Sequence, residues 1–251
     1  MRWPTTNSIT NKRESAMRQP TYIWPVPPVQ SLPISGQEVR YPINRLFFVG
    51  RNYHAHAVEM ARPVDKSVDK PFYFTKTPQT LVHSGATVPY PAQTSNYQFE
   101  LELVVAIGKT GFRVPANEAH AIIYGYAVGL DMTRRDLQLA ARDKGRPWDV
   151  GKDIENGSVV SAIAAMPGQV LSSAELVLTV NGQVKQHANV DQLIWDIREQ
   201  IADLSTFYHL QPGDLIFTGT PEGVGPVLPG DVLHGRIQGV GEVNLRIGQA
   251  E

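Results

Sequence analysis

From Arg45 onward, short apolar runs alternate with glycine and proline: RLFFVG, PFYFTK, FELELVVAIG, GYAVGLDM, VVSAIAAM, LVLTVNGQVKQ, GDLIFTG and GEVNLRIG. Runs of this length, rich in Val, Ile, Leu, Phe and Tyr and bounded by turn formers, predict strands. Asn181-Gly182 lies between two alternating segments and predicts a two-residue hairpin. One long helix is predicted over 191–208, where Leu193, Ile194, Ile197, Ile201, Leu204 and Phe207 recur at helical spacing. Shorter helices are predicted over 116–123 and 133–141, the second opened by Thr133 with Asp136 three positions later as a variant capping box. Before Arg45 the chain is rich in Pro, Ser, Thr and Asn and carries no sustained period. The expected organisation is a mobile extension over 1–20, a small segment over 21–44 and one catalytic domain over 45–251.

Composition narrows the chemistry. The chain has 251 residues, 42% of them hydrophobic, enough to bury one sizeable core. With 23 basic against 24 acidic residues the formal net charge is −1, which gives no electrostatic reason to expect a nucleic acid or an anionic membrane as partner. A small molecule is the expected partner. No cysteine is present, so disulfides, thiolate metal sites and a thiol nucleophile are excluded, and any metal must be held by oxygen and imidazole ligands. The apolar runs fall short of a bilayer span, and the first residues are polar where a signal peptide carries an apolar core; a cytoplasmic location is expected.

In FELELVVAIG, Phe99, Leu101, Leu103 and Val105 alternate with Glu100 and Glu102. Period-two geometry places both carboxylates on one strand face, about 6.5–7 Å apart along the backbone. On those residues alone a solvated outer face explains the pattern as well as a metal site does. Asp131 adds a third carboxylate where the strand GYAVGLDM ends, a place where sheets present ligands, although an aspartate beginning a helix also belongs there. Converging carboxylates repel unless a hard divalent cation relieves them. Three of them leave positions free for a chelating substrate and water, which suits Mg²⁺ or Mn²⁺, with Ca²⁺ as a substitute in crystals. No histidine cluster has zinc spacing.

The segment VGRNYHAHAVEM holds Asn52, Tyr53, His54, His56 and Glu59. If it is helical, His56 and Glu59 share a face, and the carboxylate can orient the imidazole as a general base for water. An ordinary surface ion pair has the same spacing. Arg51 and Tyr53 are candidate contacts for a substrate carboxylate, with packing an equal reading of Tyr53.

Taken together and in order, the motifs GRNYHAHAVEM, PFYFTKTPQTLV, FELELVVAIG, GYAVGLDMTRRDLQ, KGRPWDVGKDI, LTVNGQ, LQPGDLIFTGTPEGVGP and LPGDVLHGRIQGVGEVNLRIG resemble the fumarylacetoacetate hydrolase family, on its acylpyruvase side. The resemblance implies an α+β fold dominated by β structure, a mixed β-roll with a few peripheral helices, and a homodimer as the usual assembly. It places the family's metal triad on Glu100, Glu102 and Asp131 and its His-Glu dyad on His56 and Glu59. Its lysine falls on Lys152, its glutamine on Gln138, and the threonine of its TGTP loop on Thr220. Arg135 and Lys76 match an arginine and a lysine on the substrate side. Apart from the resemblance, Lys152 and Gln138 read as surface residues and TGTPEGVG as a turn. A phosphate-binding loop is absent, since its glycine, lysine and hydroxyl order does not occur. His54 departs from the small residue expected beside the dyad, and its spacing from Glu59 leaves His56 as the base.

The activity implied is metal-assisted hydrolysis of the C–C bond of a 2,4-dioxo acid, nearest to fumarylpyruvate giving fumarate and pyruvate in gentisate-type aromatic degradation. His56, oriented by Glu59, would take a proton from water, while Lys152 and Gln138, with Thr220, would stabilise the oxyanion. Decarboxylation of oxaloacetate or isomerisation of 2-hydroxyhepta-2,4-dienedioate on the same scaffold are the related alternatives. A non-catalytic metal-binding scaffold is the alternative of another class.

Overall fold

The computed structural model describes residues 20–250. All of the expected extension over 1–20 except Pro20 lies outside the described residues. The chain forms a curled, β-dominated α+β fold. Its eight-stranded sheet runs in the spatial order Phe72–Lys76, Leu46–Gly50, Leu215–Phe217, Leu101–Ile107, Ile123–Asp131, Ser158–Val160, Leu81–His83, with Ala164–Ala165 paired to Ile123–Asp131. A five-stranded sheet, Gln183–Asn189, Glu175–Val180, Val232–Ile237, Gly241–Ala250 and Ala86–Tyr90, faces it. A three-stranded sheet joins Thr133–Arg134, Tyr97–Phe99 and Gly225–Pro226.

The strand Leu101–Ile107 is buried along its whole length. Its odd positions, Leu101, Leu103, Val105 and Ile107, enter the larger apolar core with Leu178, Leu233 and Leu245 of the five-stranded sheet. Val104 and Ala106 face the other way, into a smaller core with Phe48 and Phe217, whose rings stack at 4.1 Å between centroids. Glu102 lies on that second face, at the end where the smaller core stops. The segment over 21–44 is not separate from this packing: Ser31–Pro33 pairs with Arg40–Pro42, and Leu32, Tyr41 and Ile43 fill the smaller core.

The hairpin forms at Asn181-Gly182, with φ of 51° and 78°. The long helix predicted over 191–208 does not. Residues Val190–Gln192 make a 3-10 turn, the chain then opens, and the α-helix runs Ile197–Phe207. The physical reason is a second start: Asp196 accepts from Glu199 N at 2.9 Å while Glu199 accepts from Asp196 N at 2.8 Å. The intervening amides are used elsewhere, Ile194 N on Asn52 O and Trp195 N on Asn52 Oδ1. The short helix expected over 116–123 forms at Ala116–Ile122, as a 3-10 helix. Thr133 does not cap the next helix either. It continues the three-stranded sheet, the helix is Arg135–Asp143, and Asp136 is engaged by Thr94 and Ser95.

Candidate metal centre

The expected continuous strand over the two glutamates is broken at Glu100. Phe99 pairs with Gly225 in the three-stranded sheet, Leu101 pairs with Leu130 in the eight-stranded sheet, and Glu100 is the corner between them. Its carbonyl accepts from Asp131 N at 2.9 Å, which locks the two acids side by side. Glu100, Glu102 and Asp131 are all buried, and each offers a carboxylate oxygen within 4.8 Å of the others.

Three cations stand against these acids. Lys152 Nζ donates to Glu100 Oε2 at 2.8 Å, Asp131 Oδ2 at 2.5 Å and Thr133 Oγ1 at 2.8 Å. Arg135 donates to Glu100 Oε1, to Gln98 Oε1 at 2.8 Å and to Gln138 Oε1 at 2.6 Å. Lys76 donates to Met132 O at 3.0 Å and Gly157 O at 2.9 Å, and its ammonium lies 2.6 Å from Asp131 Oδ1 outside hydrogen-bonding angles. Asp131 Oδ1 is thus close to a charge yet has no hydrogen bond. Burial favours a proton on Glu100, but Lys152 and Arg135 outweigh it and hold that carboxyl low. Glu102 goes the other way. Burial pushes it well up and the charges of Asp131 and Glu100 push further, while its hydrogen bond comes from Gly219 N at 2.7 Å.

Backbone fit makes this packing achievable. Gly219, at φ +99°, aims its amide at Glu102 where a Cβ would meet Asn52 Cβ at 2.7 Å. Gly151 lets the short helix Asp149–Lys152 press on the helix Arg135–Asp143, where a Cβ would lie 2.8 Å from Gln138 N, and so brings Lys152 to the acids.

Gln186 is a structural keystone absent from the sequence expectations. It accepts from Leu101 N at 2.9 Å and donates to Thr220 Oγ1 at 2.8 Å and Pro221 O at 2.9 Å, tying the TGTP loop and the five-stranded sheet to the acidic strand. Its neighbours Gln183, Val184 and Lys185 are exposed. The register shifts opposite Leu178 and Thr179, skipping Lys185, and this bulge turns Gln186 inward. Asn52 has a similar part: its amide donates to Trp195 O at 3.0 Å and Thr218 O at 2.8 Å.

The helix His54–Glu59 carries the dyad. His56 Nδ1 lies 2.9 Å from Glu59 Oε2, so with Nδ1 donating, Nε2 is left as an acceptor. Glu59 Oε1 accepts from Gly223 N at 3.1 Å. Burial opposes its ionisation, and the bonds from His56 and Gly223 overcome it, so its pKa is lowered.

These groups line one cavity of 290 Å³, which brings together Glu100, Glu102, His56, Gln138, Lys152, Arg135, Arg51 and Thr220. Phe72, Phe74 and Trp148 form its apolar wall. Two expected substrate contacts are placed elsewhere. Tyr53, the residue just before the helix His54–Glu59, is buried in the larger core. Lys76 lies under Asp131 with its protons committed to backbone carbonyls. Thr220 reaches the cavity with its hydroxyl already donated to Leu101 O at 2.9 Å.

The donor set fits a hard divalent cation. It consists of carboxylate oxygens, one acid carries no cationic partner, and one buried oxygen lacks a hydrogen bond. The family model for the C-terminal part of fumarylacetoacetate hydrolase matches residues 45–248. The chain belongs to the fumarylacetoacetate hydrolase family. It is 68% identical over 192 residues to a fumarylpyruvate hydrolase of a Ralstonia species, which covers 76% of this chain and all of that protein. The crystal structure of fumarylpyruvate hydrolase from Pseudomonas aeruginosa in complex with Mn²⁺ and pyruvate superposes with a TM-score of 0.87 at 42% identity, over 91% of this chain and all of that one. A mitochondrial oxaloacetate decarboxylase of Dictyostelium discoideum is 37% identical over 198 residues, 78% of this chain and 89% of that protein.

Proposed function

We propose that this family member is a divalent-metal-dependent hydrolase that splits fumarylpyruvate into fumarate and pyruvate, as a step of aromatic catabolism. The observation that carries the reading is one cavity lined by Glu100, Glu102 and a carboxylate-oriented histidine, with Asp131 buried against the two glutamates. Glu100, Glu102 and Asp131 would hold a divalent cation, which would supply Lewis-acid charge to the pyruvoyl end of the substrate. His56 Nε2 takes a proton from water, and the water oxygen bonds to the distal carbonyl carbon. Arg135 occupies the Gln138 oxygen and thereby leaves the Gln138 NH₂ as the donor for the oxyanion. Lys152, whose protons are taken up by Glu100, Asp131 and Thr133, acts first as counter-charge to the acids. As the tetrahedral carbon collapses, the bond to the pyruvoyl methylene breaks, its electron pair passes toward the 2-oxo oxygen, and the proton held by His56 returns to that methylene. Arg51 and Thr220 contact the substrate on this reading; Tyr53 and Lys76 serve it from beneath, by packing and by charge.

Oxaloacetate decarboxylation is the second reading, favoured by the Dictyostelium relative. It needs no attacking water, whereas the dyad is arranged to supply one. Loss of fumarylpyruvate ultraviolet absorbance, followed with Mn²⁺, with Mg²⁺ and with chelator, tests the proposal. Metal-dependent cleavage is expected, and no metal-dependent loss of any acylpyruvate, with no decarboxylation of oxaloacetate, would leave a non-catalytic scaffold. Homodimerisation and a cytoplasmic location go with the family resemblance, and sedimentation and cell fractionation check them.

A further inference from the structure

The cavity is charged at both ends. Arg135, Gln138 and Arg142 all line it and stand at successive turns of the helix Arg135–Asp143. Arg142 therefore lies two turns, about 10 Å along the axis, from the residue that grips Glu100. Arg51 and Arg62 line the same cavity. Arg51 Nη1 donates to Arg62 O at 3.4 Å and its guanidinium lies over the Phe72 ring at 5.0 Å, which keeps the two arginines together. Arg51 holds φ at 54°, a conformation that residues other than glycine seldom adopt, so its placement carries a conformational cost. Arg62 is exposed and Arg51 and Arg142 are half-buried, which puts the group at the mouth.

Among the described residues, no carboxylate pairs with Arg51 or Arg62, and Arg142 meets only its neighbour Asp143, at 3.0 Å, whose side chain is 63% exposed. Guanidinium groups gathered on one small cavity repel one another until an anion stands between them, and their planar fork suits a carboxylate. Phe74 lies 4.9 Å from the Lys152 ammonium at the acidic end, Phe72 lies 5.0 Å from the Arg51 guanidinium at the mouth, and Trp148 meets both rings edge-on, so the wall between the two ends is aromatic. That order, a chelating end, a flat apolar middle and a cationic mouth, matches a molecule with a carboxylate at each end and an unsaturated centre. A seven-carbon chain has six C–C bonds and spans about 7–8 Å. With a hydrogen bond to guanidinium added, it covers about the separation of the two ends.

We propose that Arg62 and Arg142, with Arg51 beside them, form a second anion subsite that takes the carboxylate at the far end of the acyl group. The subsite makes the enzyme select acylpyruvates whose acyl part is itself a carboxylic acid. The inference rests on the hydrolase reading above and deepens it. Its test is the ratio of kcat/KM for fumarylpyruvate over acetylpyruvate, which lacks the distal carboxylate, in wild type, Arg62→Gln, Arg142→Gln and Arg142→Lys. Because both substrates meet the same preparation, a loss of folded protein cancels from the ratio. The ratio is expected to fall about ten- to a hundredfold in each glutamine variant, chiefly through KM for fumarylpyruvate, with part restored in Arg142→Lys. Active wild type with an unmoved ratio in both glutamine variants overturns the subsite alone. Wild type that cleaves neither substrate in Mn²⁺ overturns the hydrolase reading, and the subsite with it.

Discussion

The acidic wall of the cavity draws on three sheets. Glu100 sits at the corner of two of them, and Gln186 reaches in from the third. The opposite wall is a six-residue helix, His54–Glu59, without a side-chain cap, whose Glu59 side chain is 33% exposed and whose Val58 is 65% exposed. Like charges can be crowded only where neighbouring groups cannot relax away, so the acids need a dense, hydrogen-bonded setting. A base that must exchange a proton with water has the opposite need. A helix this short has little stability of its own, and Tyr53, Ala57 and the Gly223 bond hold it in place.

The largest test of this contrast is Glu102→Gln. Removing one ligand charge is expected to lower cleavage by about 10³-fold or more, since Lewis-acid stabilisation is worth several kcal/mol. In chelator, however, the variant is expected to melt no lower than wild type, because an uncompensated buried carboxylate gives way to a neutral side chain of the same shape. Thermal scans with and without Mn²⁺ read both effects, and the Mn²⁺-induced rise seen in wild type should vanish. A full Mn²⁺ rise in the variant would remove Glu102 from the ligand set.

His56→Ala probes the other wall. Cleavage is expected to fall by about 10²–10⁴-fold, while the Mn²⁺ rise in melting temperature stays as in wild type. A variant that loses the Mn²⁺ response would show the two walls to be one unit. Retained oxaloacetate decarboxylation in His56→Ala, beside lost fumarylpyruvate cleavage, would confine the histidine to activating water.

What the chain alone reveals divides along the same line. The candidate site residues sit in short, ordered motifs, and Glu100, Glu102 and Asp131 come together, as do His56 and Glu59. Alternation also locates Leu101–Ile107 as a strand, though it cannot tell a solvated polar face from a second buried one. The residues that support the acids are less legible. Gln186 follows three exposed residues, and only a bulge created by pairing turns it inward. The helix break before Ile197 depends on Asn52, nearly 150 residues away, taking the amides that would have continued it. Apolar spacing carries no information about such a competitor. Tyr53 is ambiguous for a similar reason: its ring packs in the core although Arg51 and His56, close by in the chain, line the cavity.

Gln186→Leu tests whether that unseen support matters. Leu101 N and Thr220 would lose a buried partner, at a cost of about 1–3 kcal/mol in stability. The urea midpoint should fall with the slope unchanged, and Mn²⁺ affinity should weaken. A variant as stable as wild type, with unaltered Mn²⁺ binding, would mean that the acidic strand is held in register without this link.

The smallest effect belongs to Glu59, where the exposed wall meets pH. Its pKa is lowered in the folded protein, so burial has lost to the bonds from His56 and Gly223. A carboxyl with a depressed folded pKa stabilises the fold above its unfolded pKa, near 4.3 for glutamate, and that contribution disappears as pH falls through the lower folded value. Glu59→Gln has no proton to gain over this range. Wild type should therefore exceed the variant at pH 7 by less than about 1 kcal/mol, the scale of partly exposed pairs, and the gap should close in acid. Melting temperatures of the two proteins from pH 7 to pH 3 give the measurement, in low and high salt. A gap that widens toward low pH would mean that Glu59 is protonated more easily in the folded state, and that the dyad is oriented by something other than its charge.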